Sequence, residues 1–253
     1  MAYDKQKVID IALAEVGYLE KETNSNLDSK TENAGDENYT KYSRDLAEVN
    51  FYNGSKKGAY WCDVFVDWCF VQAYGKDAAL AMTFQPTNNK VNYGAGCKYS
   101  REYYKNKGRL YDKPQAGDQI FFYNSDKSQI QHTGLVYKVD SSKVYTIEGN
   151  TSGASGVIDN GGGVCTKSYS LSYKRLAGYG RPDYGVETVQ AEQVEAQKTN
   201  TSYTTYTVKK GDSLWKIASK HLGSGTKWPL IQKANSLNDT LIHPGQKLKI
   251  PKG

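Results

Sequence analysis

The sequence predicts an α+β fold followed by a second, much smaller unit. Three observations predict it. Helical apolar periodicity is concentrated before residue 75. Short β-branched and aromatic runs bounded by polar turns follow after residue 110. From residue 204 the chain reads strand, helix, helix, strand within one short stretch. Helices first and an antiparallel sheet afterwards is the α+β order.

Each element has a local reason. Residues 4–16 form an amphipathic helix, with Ile9, Leu13 and Val16 on one face and Gly17 to end it. Residues 23–58 are polar and make a long surface excursion with a short helix near Tyr42–Val49. Residues 61–74, WCDVFVDWCFVQAY, form an apolar helix whose stripe carries Cys62, Phe65, Val66 and Cys69, stopped by Gly75. Gln119–Tyr123, Thr133–Val139 and Lys143–Glu148 are strands, the last two joined by the turn Asp140-Ser141-Ser142-Lys143. Asn160-Gly161 signals another turn, and residues 176–181 a closing strand before Pro182. The Gly-rich run 151–164 has no following Gly-Lys-Ser/Thr, so it suits a mobile cleft rim and not a phosphate loop. The boundaries are therefore 1–185 for the large domain, 186–203 for a linker without core pattern, and 204–253 for the small one. The small unit is strand 205–208, helix 213–221, helix 228–235 and strand 247–250.

Composition limits the function. The net charge of +6 resides in the small unit, where residues 204–251 carry eight lysines against Asp212 and Asp239. Such a module suits a polyanion: nucleic acid, a membrane surface or an anionic cell wall. Tyrosine, at 21 residues, dominates the aromatics and suits a polar binding groove. No apolar run approaches the ~20 residues of a membrane span. The N-terminal residues lead into no apolar stretch, so a secretory signal is not expected and synthesis in the cytoplasm is.

Four cysteines (62, 69, 97, 165) and three histidines (132, 221, 243) show no metal-ligand spacing, so no metal is expected. Cys62 and Cys69 on one helix lie ~10 Å apart, beyond disulfide reach. A Cys97–Cys165 bridge stays open. Cys62 opens its helix, where the positive helix end favours thiolate and the unpaired backbone N–H groups can bind an oxyanion. A buried structural cysteine is the competing reading for Cys62, and the stronger one for Cys69. A nucleophilic cysteine needs a base, and His132 is the histidine of the large domain. Counting outward from the turn sets His132 near Asn150, with Glu148 on the same face, so both can orient the ring.

The run GAYWCDVFVDWC, then QAGDQIFFY, QHTGLVYKV and YTIEGN, resembles the CHAP family of cysteine- and histidine-dependent amidohydrolases and peptidases, over roughly residues 1–185. The resemblance implies a papain-like (NlpC/P60-type) fold, with Cys62 as nucleophile, His132 as general base, Glu148 orienting its ring, and Asn150 as alternative orienter or oxyanion donor. Two positions depart from the family: Gln131 stands where Gly is common, and Trp61 where Gln or Asn is common, which leaves the side-chain oxyanion donor open. Some members bind calcium just before the cysteine, but residues 51–61 contain no carboxylate, so no calcium is expected there.

The tail YTVKKGDSLWKIA…LIQKANSL…IHPGQKLKIP resembles a βααβ LysM module, which binds N-acetylglucosamine-containing glycans. The resemblance maps a sugar groove onto Gly211, Asp212, Ser213 and Leu214 on one loop and Asn235, Leu241 and Ile242 on the other. Together these imply a monomeric peptidoglycan hydrolase of phage endolysin type, released through a holin. Its bond is the N-acetylmuramoyl-L-alanine amide or, alternatively, a peptide bond of the stem or cross-bridge. A non-catalytic wall-binding protein is the reading from another class, and the conjunction of Cys, His and Glu argues against it. The eight lysines suit teichoic acid or a solvated face. A nucleic-acid partner fits the charge but not the motif.

Overall fold

The computed structural model describes residues 2–52, 54, 56–86, 96–158, 160–185, 203–209, 211–235, 237 and 242–251. The chain divides into two compact units, Met1–Thr188 and Val189–Gly253. Nearly all of the expected linker, and Leu241 of the expected groove, lie outside the described residues.

In the larger unit, α1 (Lys5–Ala14), α2 (Lys41–Glu48) and α3 (Cys62–Tyr74) precede α4 (Lys76–Met82) and α5 (Cys97–Asn106). The strands β1 (Leu110–Tyr111), β2 (Gln119–Tyr123), β3 (Ile130–Val139), β4 (Lys143–Thr151), β5 (Gly163–Ser170) and β6 (Leu176–Gly180) follow. They form one antiparallel sheet in the order β1-β6-β2-β3-β4-β5. The α+β expectation is met.

The helix caps explain the early boundaries. Asp4 accepts from Gln6 N to start α1, and Thr40 accepts from Ser43 N to start α2. α3 departs from the single stripe expected of it. Eleven of its thirteen residues are buried, Asp63 and Asp67 among them. It is a central helix, apolar on nearly every side, lying between α1 and α2 and the sheet. The nucleophile candidate is thereby mounted on a helix buried on nearly every side.

Residues 23–58 are less superficial than their polarity suggests. Leu27, Tyr42, Leu46, Phe51 and Tyr52 are buried, and Tyr42 packs on the rings of Trp61, Phe65 and Trp68. β4 approaches α3 closely at Gly149, where a Cβ would stand 2.6 Å from that of Phe65 and 2.9 Å from the Trp61 ring. Only glycine permits that contact.

In the smaller unit, β7 (Tyr203–Thr207) pairs antiparallel with β8 (Lys247–Pro251). Between them lie α6 (Leu214–Leu222), a 3-10 turn at Gly225–Lys227 and α7 (Trp228–Ala234). Ser213 caps α6 by accepting from Lys216 N, and Gly223 ends it in the left-handed conformation. Val208, Leu214, Ile217, Ala218, Ile231, Leu248 and Ile250 make the core.

Candidate active site

Cys62 is the first residue of α3 and His132 lies near the start of β3; both are buried, at 5% and 0% exposure. The β3–β4 register pairs Leu135 with Ile147. Continued toward the strand end, it brings His132 level with Asn150 and puts Glu148 on the same face. Between the two candidate orienters, the structure brings Glu148 to the ring: His132 Nε2 donates to Glu148 Oε2 at 2.9 Å.

Asn150 does something else. Its Nδ2 donates to Asn38 Oδ1 and its Oδ1 accepts from Gly162 N, both at 3.4 Å. Its backbone is left-handed, φ +54°, where the β4–β5 register shifts. Asparagine tolerates that conformation better than most residues. Asn150 therefore anchors the irregular end of β4 and does not touch the ring.

The second ring nitrogen, Nδ1, is buried without a hydrogen-bonded partner. Cys62 and His132 nonetheless interact strongly enough to shift one another. The Cys62 thiol is held well below its usual range. A hydrogen bond from Cys97 contributes most, burial opposes it, and His132 and the backbone N–H of Asp63 add to it. Burial resists protonation of His132, but the neighbouring Cys62 and the bond to Glu148 prevail and raise its pKa to about 9. The site thus favours a thiolate–imidazolium pair. Cys69, deeper in α3, is pushed the other way, mainly by burial.

Sequence reasoning missed the groups that hold Glu148. Thr146 Oγ1 donates to Oε1 at 2.5 Å, and Tyr169 OH donates to Oε2 at 3.1 Å. Alternation along β4 signals Thr146, two residues from Glu148; nothing local signals Tyr169. Across the strand pair, a Cβ at Gly134 would stand 2.5 Å from Glu148 Cγ, so glycine there leaves room for the carboxylate. Trp61 is spoken for: its indole N–H donates to Glu20 Oε2 at 2.6 Å. The backbone N–H groups that open α3 are free of side-chain caps. The question of a Cys97–Cys165 bridge also closes: all four cysteines are free, Cys97 meets Cys62, and Cys165 lies opposite Glu148 in β5.

In the smaller unit, several groove candidates have structural work. Leu214 is 2% exposed in the core, and Ile242 packs against that core. Asn235 bonds through Nδ2 to the carbonyls of Ile231 and Lys249 and through Oδ1 to Lys249 N, tying α7 to β8. Asp212 accepts from Tyr206 OH and Lys209 N, each at 2.8 Å, and Ser213 is the α6 cap. Gly211, with φ +89°, makes the turn into them. These side chains shape the two loops.

Among the described residues, Glu22, Asp36 and Glu37 alone gather acidic oxygens close enough for an ion; they are exposed and remote in sequence from Cys62. No helix among the described residues is long and apolar enough to cross a membrane.

Comparison with known proteins agrees with this division. Residues 53–150 match the CHAP domain and residues 206–251 the LysM domain. N-acetylmuramoyl-L-alanine amidase sle1 of Staphylococcus epidermidis is 50% identical over 62 residues, covering 24% of this chain and 18% of that protein. The uncharacterized protein YqbP of Bacillus subtilis is 48% identical over 59 residues, covering 19% of this chain and 27% of that one. The chain thus matches less than a third of either relative's length. The crystal structure of Ly7917 overlaps at a TM-score of 0.39 and 12% identity, over 81% of this chain and 65% of that one, too distant to inform the site. The chain carries a CHAP domain of papain-like α+β fold, within which Cys62, His132, Glu148 and Asn150 all fall, followed by a LysM domain.

Proposed function

We propose that the protein is a peptidoglycan hydrolase that cleaves an amide bond through the Cys62 thiolate, most specifically the N-acetylmuramoyl-L-alanine bond. The observation that carries this reading is the buried line Cys62–His132–Glu148 inside the CHAP-matching segment. Cys62 attacks the carbonyl, and the oxyanion is received by the first N–H groups of α3. The His132 imidazolium protonates the leaving amine; the thioester is then hydrolysed by water that His132 deprotonates. Glu148, held by Thr146 and Tyr169, fixes the ring and stabilises its charge.

The same residues serve a D,L- or cross-bridge endopeptidase equally well; the amidase name of the sle1 relatives favours the muramoyl bond. The C-terminal unit, proposed as residues 204–253 after a linker at 186–203, binds N-acetylglucosamine-containing glycan, and its lysines add attraction to teichoic acid. On this reading the protein acts as a monomer at the bacterial cell wall. An endolysin made in the cytoplasm and freed by a holin is its most specific form; a bacterial autolysin is the alternative.

Digestion of purified peptidoglycan, with new termini identified by mass spectrometry, tests this. Free muramoyl lactyl carboxyls paired with N-terminal alanine are expected from the intact chain and not from Cys62→Ala. New termini inside the stem or cross-bridge would move the bond to an endopeptidase, and no new termini would reject hydrolysis.

A further inference from the structure

The four cysteines differ in what they can reach. Cys69 lies two turns along α3 from Cys62, ~10 Å distant, and Cys165 sits on β5 opposite Glu148. Cys97 is differently placed. It is the first residue of α5, as Cys62 is of α3. The first turns of the two helices are tied together: Ser100 Oγ donates to Asp63 Oδ2 at 2.8 Å, and Gln119 Nε2 of β2 donates to Asp63 Oδ1 at 2.9 Å. Neighbours of both cysteines are thus clamped by a buried, three-element junction. Within it the thiols are 5% and 7% exposed, and each is the strongest single influence on the other's proton. The proposed hydrolysis accounts for Cys62 and leaves Cys97 without a task.

Resting on the reading of Cys62 as nucleophile, we infer that Cys97 is its resolving partner: on meeting a hydroperoxide the two form a reversible disulfide that switches hydrolysis off and spares Cys62 from irreversible oxidation. In the first step the Cys62 thiolate attacks one peroxide oxygen. The O–O bond breaks, hydroxide leaves and takes a proton from the His132 imidazolium as water, and the sulfur, oxidised by two electrons, becomes a sulfenic acid. In the second step the Cys97 sulfur attacks Cys62 Sγ. The S–O bond breaks, and the departing hydroxide combines with the Cys97 proton as a second water. One peroxide is reduced for each disulfide formed, and a dithiol returns both cysteines. The second step is local, because the Ser100–Asp63 bond holds the first turns of the two helices together. The first step uses what sets Cys62 apart from the other three cysteines, its thiolate character.

The test exposes the full chain to hydrogen peroxide in slight excess, alkylates the remaining thiols with iodoacetamide and maps peptides without reductant. The expected map links the Cys62 and Cys97 peptides, with hydrolysis lost and then restored by dithiothreitol. In Cys97→Ser the loss should persist after dithiothreitol, with Cys62 recovered as sulfinic acid. The wild-type map decides the matter even if that variant folds poorly. Cys62 carried to sulfinic acid while Cys97 remains alkylatable would overturn the switch and leave the nucleophile reading intact. A Cys62–Cys97 link with undiminished hydrolysis would overturn both.

Discussion

The two units treat charge in opposite ways. In the larger one, ionisable groups are buried and satisfied: Cys62, Asp63, Asp67, His132 and Glu148 all lie at 5% exposure or less, His132 is bonded to Glu148, Asp63 to Ser100 and Gln119, and Asp67 to Tyr52 and Gln85. In the smaller one, Asp212 and the described lysines lie at or near the surface, over a core of aliphatic side chains. Burial magnifies each interaction, because a charge without water must be satisfied by its neighbours. A thiolate can therefore be stabilised beside His132, whereas the lysines of the smaller unit act as a screened, collective field. On the proposed function, bond-breaking belongs to the first unit and attachment to the second.

The contrast breaks most severely at the nucleophile. Cys62→Ala should reduce peptidoglycan hydrolysis by at least ~10³-fold, with sedimentation on intact walls unchanged; retained turnover would remove the thiol mechanism. Glu148→Gln should cost about 10–100-fold by analogy with other ring-orienting partners, and it should also move the pH profile. The imidazolium that protonates the leaving amine persists until pH rises through about 9, so wild-type activity should fall on that alkaline limb. Glu148 helps raise the His132 pKa, so its loss should shift the limb toward lower pH. An unmoved limb would detach Glu148 from the ring. Tyr169→Phe removes one hydrogen bond to Glu148 and should cost about 1 kcal/mol, a several-fold drop in kcat with KM little changed. The smallest effect is expected from ending the chain at residue 185. Soluble muropeptides should be cleaved at an unchanged rate while lysis of whole cells at low enzyme concentration slows. Loss of muropeptide cleavage would put the tail inside the active site.

The site was legible where chemistry and periodicity coincide. Cys62 sits at a helix start, His132 and Glu148 flank one hairpin, and the turn at Ser141-Ser142 sets their register, so three residues distant in sequence could be brought together by counting. Cys97 and Tyr169 were not legible because their elements were not. The buried face of α5 is Cys97, Ser100 and Tyr104, a helical spacing whose middle member is a serine used to bond Asp63. β5 shows its outward polar residues and buries only Gly163, Val164 and Tyr169, too little for a hydrophobic alternation to register. Asn150 illustrates the limit of counting: register places it level with His132, but a left-handed backbone at the strand irregularity gives its side chain to Asn38 and Gly162. In the LysM unit the motif fixed the elements well, yet Leu214 and Asn235 serve the core and the α7–β8 tie, uses that a motif does not distinguish from ligand contact.

The measurement that bears most directly on the account is the pH dependence of iodoacetamide alkylation at each cysteine, resolved by peptide mass. The account predicts that Cys62 is alkylated first, at a rate already maximal well below the usual thiol pKa of ~8.5, and that His132→Ala shifts its profile to higher pH while Cys69 stays slow in both proteins. A Cys62 profile with an ordinary thiol midpoint, indifferent to His132, would contradict it.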